Sequence, residues 1–246
     1  RVKYRIDNDD YTGAIADYDA IINLDANNQD AYYQRGYFKL RIQDFEGAIT
    51  DFNKSIEIDP KHVKSYKKRG NAKAAMQKYD EALMDFNKSI DLNSTDHEPF
   101  YSKGMVYLRK SNASAAIGEF DKAIKLKNNY TEAFYYRGVA KAMTQKFELS
   151  IIDFNEALKT DSQYANAYLG RATSLGILTK HEAAIKDYDM FIDMMPNDGT
   201  AYFNRGISKI NISDFEGACV DFNTALELGI EQAEEKLNMY CKSVNN

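Results

Sequence analysis

The chain has 246 residues, a formal net charge of −5 and a hydrophobic share of 44%, a globular composition that argues against disorder. The acidic balance argues against a nucleic-acid binder, which would carry a basic face, and no run approaches the ~18 apolar residues of a membrane helix. Two cysteines and three histidines argue against a disulfide scaffold or a multi-ligand zinc site.

A fixed period organises everything else. Gly36, Gly70, Gly104, Gly138 and Gly206 step by 34 residues or its double, and Ala172 fills the missing place. Arg35, Arg69, Lys103, Arg137, Arg171 and Arg205 precede them. Sixteen residues after each basic residue comes an acid: Asp51, Asp85, Glu119, Asp153, Asp187 and Asp221. An aromatic follows each acid: Phe52, Phe86, Phe120, Phe154, Tyr188 and Phe222. Four columns held in phase over six copies mark an internal repeat.

With Gln29 as repeat position 1, residues 1–28 form a partial copy. Six full copies follow at 29–62, 63–96, 97–130, 131–164, 165–198 and 199–232, and 233–246 form a C-terminal capping helix. In the partial copy, Tyr11, Ala14, Asp17, Tyr18 and Leu24 fall where Phe45, Ala48, Asp51, Phe52 and Ile58 fall in the next. Arg1 then takes position 7, so the chain opens inside a first helix and residues are expected upstream.

Each full copy predicts two helices. The first covers positions 3–14, with an aromatic at position 4 (Tyr32, Tyr66, Phe100, Phe134, Tyr168, Tyr202) one turn before the small residue at position 8. The second covers positions 18–30, with Ala or Ser at 20, an aromatic at 24 and usually Ala or Ser at 27. Polar turns such as Gln43-Asp44 and Gln77-Lys78 join the two, and Pro60 and Pro196 fall between copies. A glycine inside a helix costs ~1 kcal/mol against alanine, so the one at position 8 must serve close packing. Phe191 is exceptional at position 27, and Gly170, Ala172 and Gly176 in the same copy are expected to make room for it.

These residues resemble the tetratricopeptide repeat. The aromatic at 4, Gly at 8, aromatic at 17, Ala at 20, aromatic at 24, small residue at 27 and Pro at 32 follow its pattern over essentially the whole chain. The departures are local: Tyr or Phe replaces the usual Trp, Ala113 and His181 replace the aromatic at 17, and Ser150 replaces Ala at 20. The resemblance implies an all-α, right-handed α-α superhelix of stacked antiparallel helix pairs, with the first helices lining a concave groove. The ending Gly217-Ala218-Cys219, Leu228-Gly229 and Tyr240-Cys241 also resembles the last repeat of many tetratricopeptide proteins of Bacteroidetes. That resemblance points to a bacterial source and slightly favours an exported or periplasmic protein over a cytoplasmic one.

The charged columns predict a ladder of ion pairs between paired helices, because a part-buried charge must find a partner. Pairing within a copy joins Arg1 to Asp17, Arg35 to Asp51 and onward to Arg205 with Asp221. Pairing to the next copy would leave Asp221 without a basic partner. The ladder serves register rather than catalysis.

If the implied geometry holds, positions 2, 5, 9, 12 and 13 face the groove. Candidate peptide-binding residues are Tyr33, Tyr37, Lys67, Asn71, Tyr101, Met105, Tyr135, Val139, Leu169, Phe203 and Ile207, with Leu40, Arg41, Leu108, Arg109, Met143 and Ile177 beside them. An apolar and aromatic stripe of this kind marks a binding face, and the competing reading is packing of positions 5 and 12 against neighbouring first helices. A carboxylate clamp for acidic C-terminal tails, as in one subclass of the family, finds Lys67 and Asn71 in place. Ser102, Glu132 and Tyr136 occupy its other positions and do not fit. Lys64, Lys67 and Lys68 still make one basic spot that could receive an acidic group.

Nothing here assembles catalysis. His62, His97 and His181 stand at positions 34, 1 and 17 without a second ligand at metal spacing, and no phosphate loop appears. No cofactor or metal is expected. The tail carries Ala233, Leu237 and Tyr240 at helical spacing, as a cap over the last apolar face. It could bring Cys241 to Cys219, and a disulfide and two buried thiols both stay open. The reading is therefore a non-catalytic scaffold that binds a peptide or helix of a protein partner. The rivals are a self-association or assembly module and, least favoured, an RNA-binding helical repeat. Neither nucleic-acid binding nor membrane insertion is expected.

Overall fold

A computed structural model describes residues 10–241. Among them are fourteen α-helices and no strands. Helix α1 (Tyr11–Leu24) is the second helix of the partial copy. The paired helices are α2 (Gln29–Arg41) with α3 (Phe45–Ile58), α4 (Val63–Ala75) with α5 (Tyr79–Leu92), and α6 (His97–Arg109) with α7 (Ala113–Leu126). They continue as α8 (Thr131–Met143) with α9 (Phe147–Thr160), α10 (Ala165–Ile177) with α11 (His181–Met194), and α12 (Gly199–Asn211) with α13 (Phe215–Glu227). Helix α14 (Gln232–Tyr240) closes the described chain.

The chain divides into two compact units, Arg1–Leu126 with α1 to α7 and Lys127–Asn246 with α8 to α14. Inside each unit the rule is the same. A first helix packs on its own second helix, that helix packs on the next first helix, and successive first helices touch. Each unit is thus a solenoid of stacked antiparallel helix pairs.

The turns explain the helix ends. Gln43, Gln77, Ser111, Gln145, Thr179 and Ser213, all at position 15, take positive φ between 57° and 65°. The next residue's N–H then reaches a carbonyl five residues back, as in Lys78 N to Lys73 O at 2.8 Å and Asp214 N to Lys209 O at 2.9 Å. This left-handed stop satisfies carbonyls that a helix end leaves open. It ends first helices at position 13, one residue before the hydrophobic pattern suggests. At the other end, the Asn28 and Asp198 side chains accept from the Ala31 and Ala201 N–H groups, which starts the helix at position 1.

The close approach at position 8 has a specific occupant. A Cβ at Gly70 would lie 2.7 Å from the Phe86 ring, and one at Gly138 2.8 Å from the Phe154 ring. The aromatic at position 24 therefore fills the space that the missing side chain leaves. The expectation for Phe191 needs correction. Its ring is buried, at 2% exposure, in a cluster with Ala172, Leu175, Ala184 and Ala201. The space over Gly170, however, is taken by Phe154 from the preceding copy, and only Ser208 Oγ approaches Gly176, at 3.8 Å.

The ion pairs run within each copy. Nε and Nη2 of Arg35, Arg69, Arg137, Arg171 and Arg205 donate to both oxygens of Asp51, Asp85, Asp153, Asp187 and Asp221 at 2.5–2.9 Å. Lys103 meets Glu119 at 3.2 Å. The Arg1–Asp17 pair lies outside the described residues.

Two further contacts were not read from the sequence. A lysine at position 11 joins the same carboxylate in four copies: Lys39, Lys73, Lys141 and Lys209. The arginine Nη1 also reaches back to position 25 of the preceding copy, from Arg35 to Asp19, Arg69 to Asn53, Arg171 to Asn155 and Arg205 to Asp189. Each of these guanidinium groups lies 5.4–5.5 Å from the position 4 ring of its own helix. One side chain thereby fixes its own helix, its paired helix and the previous repeat.

At the end of the second unit, Ala233 is buried, Leu237 packs on the Phe222 cluster, and Tyr240 stacks on Phe215 at 6.4 Å. Cys219 and Cys241 are joined by a disulfide with a Cα–Cα distance of 5.8 Å.

Candidate binding face

All eleven candidate residues lie on first helices and are half-buried. Tyr33 and Tyr37 are on α2, Lys67 and Asn71 on α4, and Tyr101 and Met105 on α6 in the first unit. Tyr135 and Val139 are on α8, Leu169 on α10, and Phe203 and Ile207 on α12 in the second.

The position 5 rings are partly spent on packing. Tyr33, Tyr101, Tyr135 and Phe203 sit 5.7–6.0 Å from Phe52, Phe120, Phe154 and Phe222 of their own copies. Leu169 packs against the Phe191 cluster. The packing partner is thus the paired second helix rather than the neighbouring first helix that the sequence suggested.

Burial raises the Tyr33 and Tyr135 phenol pKa values. Tyr164, 5.2 Å from Tyr135, is pushed up to about 12 by burial and by Tyr136 and Tyr135. These phenols stay neutral and act as apolar bodies with a polar tip.

The basic spot is changed by its neighbours. Lys67 Nζ meets Asp96 at 2.7 Å and Glu98 at 2.6 Å. Burial works against its charge, yet the hydrogen bonds it donates to Asp96 and Glu98 outweigh it and raise its pKa. Lys67 is therefore committed within the protein and does not wait for an incoming anion. Lys68 lies 5.7 Å over the Tyr37 ring.

Two clefts open between successive first helices, at the same place in the repeat. In the first unit Asn71 and Ala75 of α4 face Tyr101, Ser102, Met105 and Arg109 of α6 across a cleft of about 230 Å³. Phe86 and Val106 lie at its floor. In the second unit Thr173 and Ile177 of α10 face Asn204, Ile207 and Ser208 of α12 across another of about 230 Å³. His181 also lines it, and its Nδ1 is buried without a hydrogen-bond partner.

The structure thus brings Asn71, Tyr101 and Met105 together, and puts Ile207 in the second cleft. It leaves Tyr33 against His62 at 5.0 Å, away from either. The sequence reading missed Ala74, Ala75, Asn204 and Ser208. The Ala74-Ala75 pair was visible as the one copy with two alanines at positions 12 and 13.

Among the described residues no group of three or more His, Cys, Asp or Glu side chains is placed to hold a metal ion. No helix among them is long and apolar enough to cross a membrane.

Residues 29–62, 63–96 and 101–166 match the tetratricopeptide repeat family, together more than half of the chain. The chain belongs to the tetratricopeptide repeat family, whose members are protein-interaction scaffolds. It is similar in fold to a tetratricopeptide repeat protein from Parabacteroides merdae, at 20% identity and TM-score 0.68, over 100% of this chain and 96% of that one. It is also similar to the C-terminal part of a TPR repeat-containing protein from Cytophaga hutchinsonii, at 17% identity and TM-score 0.78, over 96% and 98%. A third neighbour is YrrB, described as a TPR protein with an unusual peptide-binding site, at 21% identity and TM-score 0.63, over 75% and 95%. No curated protein matches the sequence.

Proposed function

We propose that the first-helix face binds an extended peptide or a helix of a partner protein and performs no chemistry of its own. The observation that carries this reading is the pair of clefts at one repeat position, each floored by apolar side chains and edged by polar ones. Exposed Met143 and Ile177, at 54% and 53%, continue the apolar face beyond what a solvated surface requires. The Cys219–Cys241 bridge supports an oxidising compartment and hence an exported protein.

Tyr101→Ala with Tyr135→Ala should reduce partner capture at least ten-fold. Both rings also pack internally, so Met143→Glu with Ile177→Glu supplies a second variant that leaves the core untouched. Partner binding retained by both variants would refute the reading.

A second reading, self-association, rests on Met84, Ile152 and Val220. They share position 22 of second helices and are 72%, 54% and 61% exposed. Light scattering of the wild type against Val220→Glu tests it, and a monomer at all concentrations would dismiss it.

A further inference from the structure

We propose that the cleft between α4 and α6 is a specificity pocket for an acidic peptide segment. It would take one large apolar side chain of that segment, and Arg109 would hold a carboxylate next to it. This deepens the groove-binding reading and rests on it.

Two small side chains of α4 border the cleft. Positions 12 and 13 carry Leu40-Arg41, Leu108-Arg109, Ala142-Met143, Gly176-Ile177 and Ile210-Asn211 in the other copies. Only α4 has Ala74-Ala75, and both line the cleft between α4 and α6, whereas Arg41 in α2 turns to Tyr11 of α1. Ala75 is exposed and Ala74 packs on the Phe86 cluster, so the opening lies above an intact core. Its floor and one wall, Phe86, Val106, Tyr101 and Met105, are apolar, and Met105 adapts its shape to an incoming side chain. Asn71 and Ser102 on facing helices supply donors and acceptors for a peptide backbone.

The charge around the opening selects the flanking residue. Arg109 lines the cleft and is exposed, with no acid paired to it among the described residues. Its planar guanidinium suits bidentate capture of a carboxylate. The committed cation, Lys67, is already neutralised by Asp96 and Glu98, so Arg109 is the group left to recognise an anion. The second cleft has no Lys or Arg among its lining residues, so this preference belongs to the first unit.

The test is selection of a random dodecapeptide display library on the full chain, followed by fluorescence anisotropy of the enriched peptides. Enriched sequences should share Leu, Met or Phe next to Asp or Glu. Their affinity should fall at least ten-fold on Ala75→Trp, which fills the cleft, and on Arg109→Glu, while Arg109→Lys should retain part of it. Both sites are exposed, so the fold is kept and circular dichroism verifies it. Peptides that bind but ignore Ala75→Trp and Arg109→Glu, losing affinity only on Met143→Glu with Ile177→Glu, would overturn this inference and leave the groove reading standing. Enrichment of basic motifs would overturn it as well. Absence of any enriched peptide would overturn both.

Discussion

At the scale of single residues, the turn at position 15 shows where local conformation costs stability. A left-handed φ costs an L-residue roughly 1–2 kcal/mol, and most for a β-branched one. Thr179 holds φ at 59°. Thr179→Gly removes that cost but adds about 0.4–1 kcal/mol of unfolded-state freedom. The net expectation is a gain of about 0.5 kcal/mol, read as a rise of about 2 °C in the melting temperature of the full chain.

His62 makes a second prediction at this scale. Its Nδ1 lies 2.7 Å from Ser65 Oγ, and burial lowers its pKa from 6.5 despite the opposing pull of Asp59. The unfolded chain therefore takes up a proton that the folded chain resists. Stability is full above pH 6.5 and falls as pH drops below it, until the folded-state pKa is passed. His62→Gln should flatten that slope in urea titrations carried out across the window.

Among the elements, the ion-pair columns work as joints rather than as a sum of surface bridges. Asp153 is fully buried and holds both Arg137 and Lys141. Asp187 has Leu175 where four other copies place lysine, so Arg171 is its cationic partner among the described residues. Arg137→Ala should cost about 2 kcal/mol, because Lys141 still neutralises the acid. Arg171→Ala should cost about 3 kcal/mol or more, because it leaves a buried carboxylate without a cation. Denaturant melts of the two variants compare them directly, and equal costs would argue against the shared role of the position 11 lysine.

For the whole molecule, length counts copies rather than globular domains, and stability is a nearest-neighbour quantity. The Cys219–Cys241 bridge closes a 22-residue separation between α13 and the end of α14. Removing it should cost about 3 kcal/mol through unfolded-state freedom. The loss should be local. Hydrogen exchange of Cys219→Ser with Cys241→Ser should show protection falling in α14 and then α13, with amides of α2 to α6 unchanged. A uniform loss across both units would contradict a stack whose repeats touch only their neighbours.

The period, the helix pairs, the glycine at position 8 and the pairing of Arg35 with Asp51 were legible in the sequence alone. Each depends on residues at short, repeating separations, and a 34-residue repeat prints the same constraint six times. The start of the helices at position 1 was not legible in the hydrophobic pattern, and side-chain caps from Asn28, Asp96 and Asp198 fix it in three of the six copies. Nor was the reach of Arg35 back to Asp19, since a guanidinium has a third nitrogen that only the stacking of copies can aim. Tertiary structure also decided which of the eleven candidate residues are held by packing and ion pairs. It committed Lys67 to Asp96 and Glu98, leaned Tyr33 on His62 and Phe52, and opened a cleft at Ala75. The sequence determines which faces meet, because that follows from periodicity. What stays open between those faces depends on side-chain volumes from different copies meeting in space, and only the packed structure sets that.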